Sequence, residues 1–306
     1  MKSKIFALLL ALMLLLTTGC AAQGDETVIV ATFYPMYVFA QNVAAGIEGV
    51  RVENMADQSV GCLHDYQLQT RDMVTLDGAD ALIINGGGME QFMDKVLSLR
   101  EDLPVIDASE GITFLPAMHS HHHDEYEEDD EHDEHEEVNP HVWLDPAMAA
   151  VQVKNIADGL AQADPAHAQA YKENGEKYIE KLNTLDAEIA SELAPFAGRQ
   201  IITFHEAFTY FAQAYGLEVA GVIANEPGQD PSTREIAQTC DLVSEKGIGT
   251  LFVEPQYPQK AAETIARETG ASMYTLDPVV SGDGTPESYE NIMRENARIL
   301  MEALEK

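Results

Sequence analysis

Basic residues are scarce in this chain, which sets 18 lysines and arginines against 52 aspartates and glutamates for a formal charge of -34. Such a surface cannot neutralise phosphates, so nucleic acid is excluded as a partner, while cations are drawn to it. Cysteine is nearly absent: apart from Cys20, only Cys62 and Cys240 are present, a pair that an oxidising compartment could join. Long apolar runs are missing beyond the N-terminus. Hydrolase signatures are missing as well, since no HExxH and no nucleophile elbow occurs anywhere.

The one apolar run, residues 5–16, follows Lys2 and Lys4 and ends at Thr17-Thr18-Gly19-Cys20. It falls short of the roughly 20 residues needed to cross a bilayer and reads as a bacterial lipoprotein signal. Residues 1–19 are then the signal peptide, and 20–26 form a tether lipidated on Cys20. The protein is expected outside the cytoplasm, anchored to the cell membrane. An ordinary signal with an incidental cysteine is the alternative, because Thr17 stands where a lipobox usually has leucine.

From residue 27 onward, short β-branched or aromatic runs alternate with amphipathic stretches. Strands are expected at 28–33, 50–55, 81–84 and 104–106, then at 200–204, 219–223, 250–253 and 272–276, with helices between them. The alternation predicts an α/β fold of two lobes, each a parallel sheet flanked by helices. Asp164-Pro165 reads as an N-cap with proline at the first helical position. It opens a helix over 164–195, about 45 Å long at 1.5 Å per residue, which would join a first lobe (27–163) to a second (196–306) as a rigid linker. Residues 119–137 hold eleven acidic residues with His119, His121, His122, His123, His132 and His135. They cannot bury a core and form a loop inserted in the first lobe, either a weak multi-site metal trap or a solvated insertion.

In open α/β sheets the carboxyl ends of strands line the binding crevice. His205, Glu254 and Asp277 each follow a predicted strand of the second lobe. His64 lies in a loop of the first lobe and His141 in the turn-rich segment before the helix at 147. A lone loop histidine is most often solvated; three imidazoles and one carboxylate brought together make a tetrahedral zinc site. Glu254 is a further candidate, as a ligand or as the group that orients a histidine ring. Glu206 suits the first turn of a helix, and Cys62, two residues before His64, is a soft alternative ligand.

Three segments match a family. Asn139-Pro140-His141-Val142-Trp143-Leu144-Asp145-Pro146, Thr203-Phe204-His205-Glu206-Ala207-Phe208 and Asp277-Pro278 resemble motifs of the metal-binding lipoproteins of bacterial ABC importers that serve zinc and manganese. The resemblance covers residues 28–304. It implies two lobes joined by one long helix, the metal ligands His64, His141, His205 and Asp277, and an ABC permease with its ATPase as partners of a monomeric binding protein. Around His64 the run Gly61-Cys62-Leu63-His64-Asp65-Tyr66 departs from the family pattern, which often has proline before the histidine. Manganese members tend to carry a carboxylate at the third ligand position, so His205 biases the set toward Zn²⁺ over Mn²⁺. The alternatives are a manganese-binding member of the same family, a zinc hydrolase with Glu206 or Glu254 as base, and a surface adhesin, which transport would not exclude. A closed four-ligand shell leaves no place for the water that a hydrolase needs.

Overall fold

The computed structural model describes residues 26–58, 61–63, 66–118, 138–224 and 231–306. Cys20, His64, Asp65 and the segment 119–137 lie outside the described residues, so the expectations placed on them are not addressed by the fold.

The first lobe runs β1 (Thr27–Ala31), α1 (Tyr34–Val43), β2 (Val50–Asn54), α2 (Thr70–Asp77), β3 (Ala81–Ile84), a short 3-10 turn followed by α3 (Asp94–Leu97), and β4 (Val105–Asp107). Its strands are parallel in the order β2-β1-β3-β4. Burial follows that order: Ile29, Val30 and Ala31 of inner β1 are fully enclosed, whereas edge strand β2 shows Arg51 to solvent. Next comes a feature that the residue pattern did not announce, an antiparallel ribbon of β5 (Leu115–Pro116) and β6 (Val138–Asn139). Two-residue strands are too short to show a period.

Two helices follow, α4 (Pro146–Ala163) and α5 (Ala168–Leu193). Asp145 caps α4 by accepting from Ala147 N and Met148 N, with Pro146 at the first position. The rod α5 starts later than expected. Asp164 is not its N-cap: the Asp164 carboxylate meets His167 Nδ1 at 2.6 Å and accepts from the Tyr171 hydroxyl at 3.0 Å, which holds Pro165 in a turn. The 26 residues of α5 still reach about 39 Å. Tyr171, Gly175, Tyr178, Leu182, Leu185, Ile189 and Leu193 form its buried stripe, at spacings of three and four. Gly175 is dictated by packing, since a Cβ there would press on the Ala157 methyl of α4.

The second lobe continues with β7 (Gln200–Thr203), α6 (Thr209–Ala214), β8 (Glu218–Val222), α7 (Thr233–Lys246), β9 (Thr250–Val253), α8 (Lys260–Thr269), β10 (Ser272–Thr275) and α9 (Ser288–Leu304). Its parallel sheet is ordered β10-β9-β7-β8. A capping box between Ser232 and Glu235 opens α7, and left-handed Gly247 closes it.

Both lobes lean on α5. Near its start Asn174 donates to Val43 O and Ala45 O of the first lobe; farther along, Asp186 accepts from the Tyr215 hydroxyl of the second. A second strut joins it, because the start of α9 packs into the first lobe through Ser288, which accepts from the Tyr34 hydroxyl, and Tyr289, which donates to Trp143 O. Asn296 of the same helix exchanges two hydrogen bonds with the Asp277 backbone. Two helices therefore cross between the sheets, which opposes wide hinge motion.

One buried carboxylate ties the strand ends of the first lobe together. Glu90 accepts from the Thr32 hydroxyl after β1 and from the Asn85 and Gly86 amides after β3. Gly86 has φ of 85°, and a side chain there would collide with Asp107 and Ser109. Burial outweighs the three donors and lifts the Glu90 pKa from 4.5 to about 7. The folded state thus holds a proton that the unfolded chain has lost, so this group's contribution is full below pH 4.5 and disappears as pH rises to about 7. Denaturation midpoints of wild type and Glu90→Gln against pH should show the wild-type slope over that window, worth roughly 3 kcal/mol, and its loss in the variant.

Candidate metal centre

Every candidate that falls among the described residues sits at the carboxyl end of a strand or in a loop facing those ends. His205 lies two residues past β7, Glu254 directly past β9, Asp277 two past β10, His141 two past β6, and Cys62 in the loop from β2 to α2. Parallel strands bring these ends to one side of each sheet.

Three donor atoms converge there. His141 Nε2 and His205 Nε2 are 3.3 Å apart, and the Cys62 sulfur is 3.3 Å from the first and 3.5 Å from the second. Among the described residues these three form the one metal-competent group of histidine, cysteine or carboxylate side chains. All are buried. Trp143 packs 5.1 Å from the His141 ring and Tyr257 5.4 Å from the His205 ring, so aromatic walls keep the local dielectric low.

Each imidazole is aimed by a partner on its other nitrogen. Glu254 Oε1 lies 2.6 Å from His205 Nδ1, so Nδ1 donates and Nε2 turns to the centre. Asn139 Oδ1 does the same for His141 at 2.8 Å and accepts the His141 backbone amide as well. Asn139 cannot flip, because its amide donates to Glu206 O. Asn85 fixes the next residue by donating to Pro140 O, and Gln152 of α4 holds Asn85 in turn.

The electrostatics favour a cation at the centre. Burial alone would lower the His205 pKa, but the charges and hydrogen bonds of Glu254 and Cys62 outweigh it and hold His205 well above the usual imidazole range. Its proton must leave before a metal can take Nε2. Burial pushes the Cys62 thiol upward, with His205 pulling the other way. Glu254 Oε2 is buried with no hydrogen-bond partner among the described residues.

Asp277 stands outside the triangle. Its Oδ1 accepts the Val279 amide at 2.8 Å, and burial together with the Glu254 charge lifts its pKa to about 6. Val279 has φ of 62°, a strained conformation for a β-branched residue. The strain is held by Trp143 Nε1 donating to Pro278 O and by Asn296 on Asp277. Glu206 uses its carboxylate to accept the Met118 amide at 2.6 Å, anchoring the end of the β5 segment, and Tyr210 clasps both strands of the ribbon. Cys62 and Cys240 are both free thiols.

Against known proteins, the family model described as "ZnuA: Zinc-uptake complex component A periplasmic" matches residues 29–303. The chain belongs to the ZnuA family. The high-affinity zinc uptake system protein ZnuA of Bacillus subtilis (strain 168) is 32% identical, over 94% of this chain and 91% of that protein. A crystal structure of ZnuA superposes with a TM-score of 0.76 at 28% identity, covering 91% of this chain and 99% of the other. The binding protein FpvC of Pseudomonas aeruginosa, in complex with Ni²⁺, gives 0.77 at 27% identity, covering 92% and 97%. The ZnuA family comprises substrate-binding transport proteins, so the hydrolase reading falls away. What the residue pattern missed is the aiming set of Asn139, Asn85 and Gln152. The first of these was in view, since Asn139 stands two residues before His141.

Proposed function

We propose that this protein captures Zn²⁺ outside the cytoplasm, in the cleft between its lobes, and delivers it to the permease of an ABC importer whose ATPase drives uptake. The observation that carries this reading is the convergence of two inward-facing imidazole nitrogens, one from each half of the chain, at 3.3 Å. Family membership over residues 29–303 supports the transport role. Zinc is the favoured ion because nitrogen donors outnumber oxygen donors in the expected set; manganese is the second reading.

The proposed ligands are His141, His205, Asp277 and a donor from the loop that contains Cys62 and His64. Asp277 would join by a side-chain rotation that trades the Val279 amide for the ion. Capture is then an ordering of loops around the cation while α5 and α9 hold the lobes at fixed spacing. The sequence Thr17-Thr18-Gly19-Cys20 supports a lipid anchor on Cys20, which the mass of the mature N-terminal peptide checks. No helix among the described residues is long and apolar enough to cross a membrane.

The histidine- and acid-rich segment 119–137 leaves from β5 and returns at β6, and its departure point at Met118 is tied to Glu206, the neighbour of His205. That position suits an auxiliary zinc trap beside the cleft. Protein purified without chelator should hold about one tightly bound zinc by elemental mass spectrometry, as one complete tetrahedral site requires. Deleting residues 120–136 should remove only weak sites from a zinc titration; loss of the tight site on deletion would contradict the assignment.

A further inference from the structure

We propose that Cys62 coordinates the captured ion as a thiolate, so that the site is a mixed sulfur–nitrogen centre whose soft donor selects zinc against manganese. The inference rests on the zinc-binding reading of the same cleft and adds a ligand to it.

The geometry carries the argument. Zinc binds imidazole nitrogen at about 2.0–2.1 Å and thiolate sulfur at about 2.3 Å in tetrahedral sites, so two nitrogens of one shell lie about 3.3 Å apart and a nitrogen and a sulfur about 3.6 Å. The observed triangle has edges of 3.3 Å between the nitrogens and of 3.3 and 3.5 Å from sulfur to each. These are the edges of one face of a zinc tetrahedron. Without metal the thiol can donate to His141 Nε2 and accept from protonated His205 Nε2, and loss of those protons leaves the same three atoms facing one point as metal donors.

The chain around Cys62 supports this placement. Gly61 takes φ of 57°, and Cys62 and Leu63 are buried beyond it, so the loop turns its sulfur inward. Gly61 packs on Gln256, just past Glu254. The loop of the first lobe therefore rests on the strand end of the second that also supplies the His205 partner. On metal binding the S–H bond breaks, an S–Zn bond forms, and the proton goes to solvent; no oxidation state changes. One corner of the tetrahedron remains for a further donor, which excludes catalytic water when it is filled.

Thiolate is a poor ligand for Mn²⁺ and a good one for Zn²⁺. The full chain loaded with Co²⁺ should show a thiolate-to-cobalt charge-transfer band in the near ultraviolet, lost in Cys62→Ser and kept in Cys240→Ser. Competition titrations should show Cys62→Ser weakening zinc by at least about tenfold and manganese by less. Wild-type protein that binds Co²⁺ without that band would overturn the proposal while leaving zinc capture intact. Wild-type protein that binds neither Zn²⁺ nor Co²⁺ would remove the functional reading itself. Should Cys62→Ser fail to fold, the wild-type spectrum alone decides.

Discussion

His205→Ala should lower zinc affinity by at least about 100-fold, beyond the 10- to 100-fold range typical of losing a group that only orients a ligand. The substitution removes one nitrogen from the centre and also strands Glu254, whose Oε1 has His205 Nδ1 as its partner while its Oε2 has none among the described residues. A buried carboxylate without its cation is costly, so the variant should melt earlier as well. Affinity must therefore be read by competition titration at a temperature where circular dichroism shows the variant folded. His167→Ala is the control. His167 belongs to the Asp164 turn, where its ring meets Asp164 and Tyr171 and none of the converging donors, and its loss should leave zinc binding unchanged. A His205→Ala protein that is folded and binds zinc like wild type would show that the ion sits elsewhere.

Glu254→Gln should act with opposite signs on metal binding and on stability. Glutamine keeps the shape of the side chain and can still accept from His205 Nδ1, but it brings no charge to raise the basicity of the ring. Zinc affinity should fall by about 10- to 100-fold. Without metal, however, the native protein must enclose the carboxylate and the raised-pKa imidazole together, both almost wholly buried. With glutamine in place the ring can shed its proton, so no unpaired charge stays buried, and uncharged replacements of a buried ion pair are often neutral or stabilising. The ion-free variant should therefore melt at or above the wild-type temperature, while zinc adds less to its melting point than to that of wild type. Thermal scans with and without zinc check both signs. A variant destabilised without metal and unchanged in affinity would mean that Glu254 serves packing and not the ion.

How much of this was legible in the residues depended on how far each feature reaches along the chain. The parallel sheets were legible, because an inner strand such as 81–84 is a continuous apolar run that ends at a polar residue, Asn85. The placement of His205, Glu254 and Asp277 past strand ends followed from the same pattern. For Glu254 the residues left two readings open, a direct ligand or the group that orients a histidine ring, and its Oε1 lies 2.6 Å from His205 Nδ1. The start of α5 was misread: Asp-Pro is a good helix opening, but Asp164 is recruited by His167 and Tyr171, a side-chain competition that propensity does not see. The β5–β6 ribbon escaped because its strands are two residues each, and the role of α9 as a second strut because it depends on contacts 254 residues apart, between Tyr34 and Ser288. Cys62 was marked only by its closeness to His64; nothing local says that its sulfur meets two imidazoles from the segments that follow β6 and β7.

The central claim is that one divalent ion is held between the two halves of the chain by the converging donors. Crystals of the zinc-loaded protein, measured on both sides of the zinc absorption edge, test it most directly. The account predicts an anomalous peak within bonding distance of both His141 Nε2 and His205 Nε2, with the Cys62 sulfur and one further donor completing the shell. A peak confined to the 119–137 segment, or two imidazoles left without a metal between them, would contradict it.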